Sequence, residues 1–478
     1  MYLWIVITGG VFSFVAAMGI GANDAANSFA TSVGSKTLTL KQAVGLACIF
    51  ETGGAVLMGS HVSETIRKGI ADYQCFEDDP DQLMYGCMWV VFSVGAWLFL
   101  ASYLEMPVST THSCVGGMIG MAWSLKGYNC IKWYEYSETF PYIGGVAGIV
   151  LSWFISPIFS SFLSMFLFSI IRQFILRPSF YTKRVYFIYP ILVGSTITLN
   201  TFFIIYKGAK GISLDNLRLE HSMAIAFGTG GVASIIVLPF LPKLYKYVVK
   251  KYSSPINVTN TNDIEIEIDT INNIEIDNDR EKRKIIHIHD NAEKFDKETE
   301  EFFKFIQIFS AISCAFSHGA NDVANAIGPF AALYTIYKTQ DVSEDSVMEN
   351  NAYWILGYGG VGISIGLVVY GYKIINAMGT KLCKITPSRG SIIEISSATI
   401  IIIGSRLQIP LSTTHCQIGA TIGIGLLENT NKNSLSSWKD MKGINGKLLI
   451  KICLGWIATC FIVGITTGIL TAQGIYSH

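Results

Sequence analysis

Charge is what this sequence has least of. Asp, Glu, Lys and Arg make up 15% of its 478 residues, where a soluble protein carries roughly 25%. The shortage excludes an ordinary soluble globular fold and makes residence in a membrane the first expectation. Neither sign predominates, the formal net charge being zero. With no basic excess, nucleic acid is not an expected partner. The ten cysteines contain no Cys-x-x-Cys spacing, so neither a thiolate metal site nor a dithiol redox motif is expected. Cys48, Cys114, Cys314, Cys416, Cys453 and Cys460 fall in apolar runs, as small packing residues. Cys75, Cys87 and Cys130 fall on or near polar stretches, where a disulfide is allowed but not forced. The first apolar segment runs straight into a polar motif at Gly21, and it reads as a working span rather than a cleaved signal peptide.

Long apolar runs are what the chain has in abundance. A bilayer is crossed by about 20 apolar residues, and twelve stretches qualify: 1–31, 42–60, 87–104, 108–125, 142–171, 185–206, 222–242, 302–338, 352–372, 390–406, 410–427 and 448–473. The expected fold is an all-α polytopic membrane protein with about twelve transmembrane segments. The segments 1–31 and 302–338 are too long for a simple span, which predicts helices broken near a motif that both contain. The segments starting at 108 and 410 are glycine-rich and weak as spans, and re-entrant or hairpin elements are the alternative there.

That shared motif is Gly21-Ala22-Asn23-Asp24-Ala25-Ala26-Asn27, returning as Gly319-Ala320-Asn321-Asp322-Val323-Ala324-Asn325. A carboxylate flanked by carboxamides at membrane depth is costly and marks a pathway for ions or polar solutes. Two copies point to two related halves sharing one site, the signature of a secondary transporter. Alternating the loops puts 18 Lys and Arg on one side, against seven on the other. The basic side is the expected cytosolic side, with both termini extracellular. The loop after the first motif (32–41) is then cytosolic, whereas the acidic loop after the second (339–351) is external, so the repeat is inverted. The halves are 1–247 and 302–478. Between them, 248–301 has no glycine and only Pro255, is rich in Asn, Ile and charge, and reads as a mostly disordered cytosolic linker. An edge strand over Ile264 to Asp269 is the other reading. Asn257 begins a glycosylation sequon that stays unmodified on that side.

A second element also repeats: Pro107-Val108-Ser109-Thr110-Thr111-His112 and Pro410-Leu411-Ser412-Thr413-Thr414-His415. Proline followed by hydroxyls before an apolar run is helix N-terminus chemistry. Free N–H groups and the positive end of the helix dipole, joined by three hydroxyls, make an anion site. Asn23, Asp24, Asn27, Asn321, Asp322 and Asn325 supply the hard oxygens that suit sodium. Two further intramembrane acids, Glu51 and Glu394, are expected in cation binding or coupling. They are not repeat equivalents, because Glu51 precedes Pro107 by 56 residues and Glu394 precedes Pro410 by 16. His112 and His415 directly follow a hydroxyl cap and are expected as structural hydrogen-bonders rather than proton carriers. Cation and anion sites placed together neutralise one another. Asp24 and Asp322 are therefore read as cation holders, with Asn23 and Asn321 as the nearer contacts to an anion.

At these residues the chain resembles the inorganic phosphate transporter family, the PiT type of sodium–phosphate symporters, in its eukaryotic branch. The matching pieces are Gly21 to Asn27 continuing through Ser35, Phe50-Glu51-Thr52, Glu64 to Ile70, His318 to Pro329, Glu394, and Pro410 to Cys416. The resemblance implies inverted repeats, uptake of inorganic phosphate with Na+ as the coupling ion, and no covalently bound cofactor or enzymatic activity. It also implies an elevator-like movement and a homodimer, in what is expected to be the plasma membrane. Phosphate is expected at Asn23, Ser109, Thr110, Thr111, Asn321, Ser412, Thr413 and Thr414. Sodium is expected at Asp24, Asn27, Glu51, Asp322, Asn325 and Glu394. The rival on the same fold is a proton-coupled phosphate or sulfate symporter. A passive anion channel is disfavoured, since paired carboxylates would repel its permeant ion.

Overall fold

The computed structural model describes residues 2–136, 138, 142–177, 181–205, 217–253, 279–342, 354–428 and 443–476. The first half contains α1 (Leu3–Asn23), α2 (Ala25–Gly34), α3 (Leu40–Met58), α4 (Ser60–Lys68), α5 (Pro80–Tyr103), α6 (Thr110–Lys126), α7 (Gly145–Ile171), α8 (Tyr181–Ile205), α9 (Leu219–Val237) and α10 (Leu241–Ser253). After it come α11 (Asp279–Asn291), α12 (Lys297–Thr339), α13 (Trp354–Tyr370), α14 (Tyr372–Lys381), α15 (Pro387–Arg406), α16 (Thr413–Glu428) and α17 (Gly446–Tyr476). Helix is what such apolar runs must form, because lipid cannot satisfy a backbone N–H or carbonyl. A two-residue antiparallel pair, Glu135–Tyr136 with Ile143–Gly144, is the only sheet among the described residues.

The protein is an all-α polytopic membrane protein. Among the described residues, six helical runs are long and apolar enough to cross a bilayer: Leu3–Gly34, Leu40–Met58, Pro80–Tyr103, Gly145–Leu176, Leu219–Tyr252 and Gly446–Ile475. Every expected span coincides with helix, but α6, α13 and α16 have only 16 or 17 residues. Length alone therefore does not reach twelve.

Two expectations need correction. The second motif does not break its helix: α12 runs unbroken for 43 residues, about 64 Å at 1.5 Å per residue. Its excess length projects beyond the apolar stretch at Lys297 instead. At the first motif the break is a single residue, Asp24, between α1 and α2. The segment expected to be disordered is helical at 279–291 and again from 297. Arg177 Nε holds Glu293 Oε1 at 2.7 Å there, and the Glu293 carbonyl accepts from Arg389 Nη2 at 2.7 Å. The Ile264 to Asp269 run and Asn257 lie outside the described residues.

The halves are interlocked. An added Cβ at Gly21 would lie 1.8 Å from the Ile363 carbonyl oxygen, and one at Gly319 2.0 Å from that of Glu51. Only glycine allows that approach, which seats α1 on α13 and α12 on α3. Gly120 and Gly419 do the same for α6 on α17 and α16 on α7, with added Cβ atoms 2.0 Å from the Gly464 oxygen and 2.3 Å from the Pro157 oxygen. In each of the four pairs, one helix comes from each half.

The turns into α6 and α16 are copies. Glu105 and Gln408 have φ of 53° and 57°, and the next residues, Met106 and Ile409, donate backwards to Ala101 and Gly404 at 2.9 Å. A left-handed residue followed by such a bond is a helix C-terminal closure. After each turn an extended stretch returns inward, to where α6 and α16 begin.

Candidate functional site

The two returning stretches meet at the centre of the protein. Ser109 Oγ donates to Ser412 Oγ at 2.8 Å, and Thr111 Oγ1 donates to the Leu411 carbonyl at 3.0 Å. Both serines cap the helices they precede, accepting from the His112 and His415 backbone N–H at 3.3 Å. The starts of α6 and α16, with their free N–H groups, therefore face one buried region. Behind them His112 stacks on Trp153 and His415 lies tilted against Trp456, with ring centroids 3.6 and 3.7 Å apart. The partners cross over in the hydrogen bonds: His112 Nδ1 donates to the Trp456 carbonyl and His415 Nδ1 to that of Trp153. Both histidines thus have the structural bonds expected, although with partners distant in sequence.

Both motif carboxylates reach these helix starts. Asp24 Oδ2 accepts from Thr110 Oγ1 at 2.9 Å and from its backbone N–H at 3.4 Å, while Oδ1 accepts from Thr414. Asp322 Oδ2 accepts from Thr413 Oγ1 at 2.5 Å. Asn325 Nδ2 donates to Thr110, Thr111 and Asp322, at 3.1, 3.3 and 3.2 Å. Each half therefore supplies hydroxyls to the other half's acid or amide.

The motif's first asparagine serves differently in the two copies. Asn23 donates to Ser102 Oγ and to the Met106 carbonyl, and accepts from the Val108 N–H. All three contacts hold the turn before α6. Asn321 donates to Ser405 Oγ at 3.1 Å, but its Oδ1 is buried without a hydrogen-bond partner, as is that of Asn325. Asn27 sits in α2, and its side chain lies outside the described residues.

A residue the sequence reasoning passed over joins the acids. His318 Nδ1 lies 2.6 Å from Glu51 Oε2, and its Nε2 lies 2.7 Å from Asp322 Oδ2. The second contact is close enough for an ion pair, although off the line of a straight hydrogen bond. Ligand atoms of Asp24, His318 and Asp322 all fall within 4.8 Å of one another, a grouping able to hold a metal ion. Glu51 Oε1 is a further buried oxygen without a partner. The clue in the sequence was positional: four residues before each motif Asp stand His318 and Ile20. Glu394 is separate, accepting from Thr31, Ser32, Ser310 and Gln307. The structure thus brings the Ser-Thr-Thr elements, both motif acids, Asn325 and Glu51 into one region, and sets Glu394 in a second hydroxyl cluster along α2.

The chain is similar to known proteins along most of its length. The model of the phosphate transporter family matches residues 20–467. A protein of Pyrococcus abyssi assigned as a phosphate permease is 32% identical, over 98% of this chain and 97% of its own. Sodium-dependent phosphate transporter 1 of Rattus norvegicus is 28% identical, over 100% of this chain and 96% of its own. A solved structure described as the sodium-dependent phosphate transporter superposes with a TM-score of 0.76 at 30% identity, over 98% of both chains. With both repeated motifs inside the matched region, the chain belongs to the phosphate transporter family.

Proposed function

We propose that this transporter is a sodium-coupled symporter of inorganic phosphate, working by alternating access. The observation that carries the reading is the meeting of Asp24 and Asp322 with two helix N-termini whose hydroxyls come from both halves. Helix starts and hydroxyls suit a phosphate; carboxylates beside it need cations between. Phosphate is held by Ser109, Thr110, Thr111, Ser412, Thr413 and Thr414, with Asn321 as a further contact. Asn23 braces the hairpin in this state and reaches phosphate only by exchanging those bonds. Sodium is held by Asp24, Asp322, Asn27 and Asn325 together with Glu51, and again at Glu394 with Thr31, Ser32 and Ser310.

The halves 1–247 and 302–478 form an inverted repeat, with 248–301 as a cytosolic connection and both termini extracellular. A disulfide between Cys75 and Cys130 supports that orientation. It lies on the face poorer in Lys and Arg, and disulfides persist in oxidising compartments. A homodimer in the plasma membrane with an elevator-like movement completes the reading.

Uptake of labelled phosphate into proteoliposomes, with and without a sodium gradient, tests it. Uptake should require sodium and should vanish in Asp24→Asn and Asp322→Asn proteins that still insert. Wild-type rates in either variant would remove the cation role. One observation favours a second reading: His318 held between Glu51 and Asp322 places a protonatable cation where a coupling ion would sit. Uptake that persists without sodium and follows a pH gradient would select proton coupling.

A further inference from the structure

From Asp24 onwards, α2 carries the buried hydroxyls of Ser28, Thr31 and Ser32, and then half-buried Ser35 at its end. Their spacing places them on one face of the helix. Opposite stand Gln307 and Ser310 on α12 and Glu394 on α15, all buried. Thr31 and Ser32 donate to Glu394 Oε1 at 2.5 and 2.6 Å, and Ser310 donates to Oε2. Gln307 completes the seam. Its Nε2 donates to Glu394 at 3.4 Å, and its Oε1 accepts from Ser35 at 2.7 Å and Thr37 at 2.5 Å. Beyond Ser35 opens a cavity of about 590 Å³, which Ser35 lines together with Lys304, Lys384 and Arg389.

The second half has no counterpart to this seam. The residues of α12 that match Ser28, Thr31, Ser32 and Ser35 are Ala326, Pro329, Phe330 and Leu333, all buried. Packing there is close, since an added Cβ at Gly328 would lie 2.7 Å from Ile66 and one at Gly59 2.5 Å from Val323. The face beyond Asp322 is thus sealed by apolar packing, whereas the hydroxyl face of α2 beyond Asp24 is closed by hydrogen bonds, with Phe29 and Ala30 of the same helix in the apolar core. Hydrogen bonds can be exchanged for water or a cation, whereas close apolar packing offers no such substitute.

We propose that this seam is the cytosolic release route of the coupling cation, and that Gln307, pinned by Ser35 and Thr37, is its gate. The proposal rests on the reading of the chain as a cation-coupled carrier and adds which way, and past which residues, the cation leaves.

The test is chemical access to Ser32, behind the gate. Ser32→Cys is placed in the full-length protein in inside-out vesicles and treated with a cationic, membrane-impermeant thiosulfonate. Labelling of the protein without Ser32→Cys is subtracted. Adding Gln307→Ala removes two or more hydrogen bonds from the closed state, so labelling from the cytosolic face should accelerate about tenfold or more. No acceleration, or equal labelling from the opposite face, would overturn the route. Should Gln307→Ala fail to insert, Ser35→Ala with Thr37→Val removes the same two bonds at the cavity side, and the same readings apply. Labelling requires neither phosphate nor transport, so loss of the route and loss of the symport reading are separate outcomes.

Discussion

Glu51 and His318 form a polar pair beside the second motif. Their counterparts are apolar. Ile20 stands where His318 does, four residues before the motif Asp, and Ile363 presents its carbonyl to Gly21 as Glu51 does to Gly319. One copy of the contact between a motif helix and its partner thus carries an acid and a base, and the other carries two isoleucines. Both polar groups are buried, Glu51 fully. Removing one partner of a buried ion pair costs about 3–5 kcal/mol, because the other charge is left unsolvated. His318→Ala should therefore lower thermal stability in detergent markedly. Glu51→Gln added to it should recover part of the loss. Equal stability of His318→Ala and wild type would show that the pair is not ionic.

At the scale of elements, the starts of α6 and α16 do the positioning. Proline, a hydroxyl run and following glycines made both starts legible, along with the anion-binding chemistry they imply. The sequence also disclosed the motif acids and the spans themselves. Cross-half contacts were not legible, because Asp24 to Thr414 and Asn325 to Thr111 depend on how two helix starts meet, and nothing local encodes that. The continuity of α12 was hidden by its length, which by itself suits a broken helix as well as one that projects from the membrane. The helical part of the linker was hidden too, since the partners of Glu293 are Arg172 and Arg177, just past the end of α7, and Arg389 on α15. Thr111→Val and Thr414→Val keep the shape of each helix start and delete one hydroxyl. Hydrogen bonds to a charged group contribute about 1.5–3 kcal/mol, so each variant should raise the phosphate concentration for half-maximal uptake by roughly tenfold or more. An unchanged value in both would place phosphate elsewhere.

At the scale of the whole molecule, neither half has a complete surface of its own. Gly21 needs Ile363, Gly319 needs Glu51, Gly120 needs Gly464, and Gly419 needs Pro157. Each contact puts backbone against backbone, which side chains of one half cannot imitate. Trp153 and Trp456 take the same crossed arrangement with His415 and His112. The two halves should therefore fold as one cooperative unit, although the chain between them is long. All of these contacts are made by residues outside 254–278, the stretch that joins the halves. Residues 1–253 and 279–478, expressed together as separate chains, should assemble and recover sodium-dependent phosphate uptake. Expressed alone, each piece leaves glycine-lined helix faces and buried acids without partners, a cost no packing within that half can offset. Neither piece alone should accumulate as a monodisperse species in size-exclusion chromatography. A half that remains stable by itself would show that the interlock is a contact between finished domains rather than a shared core.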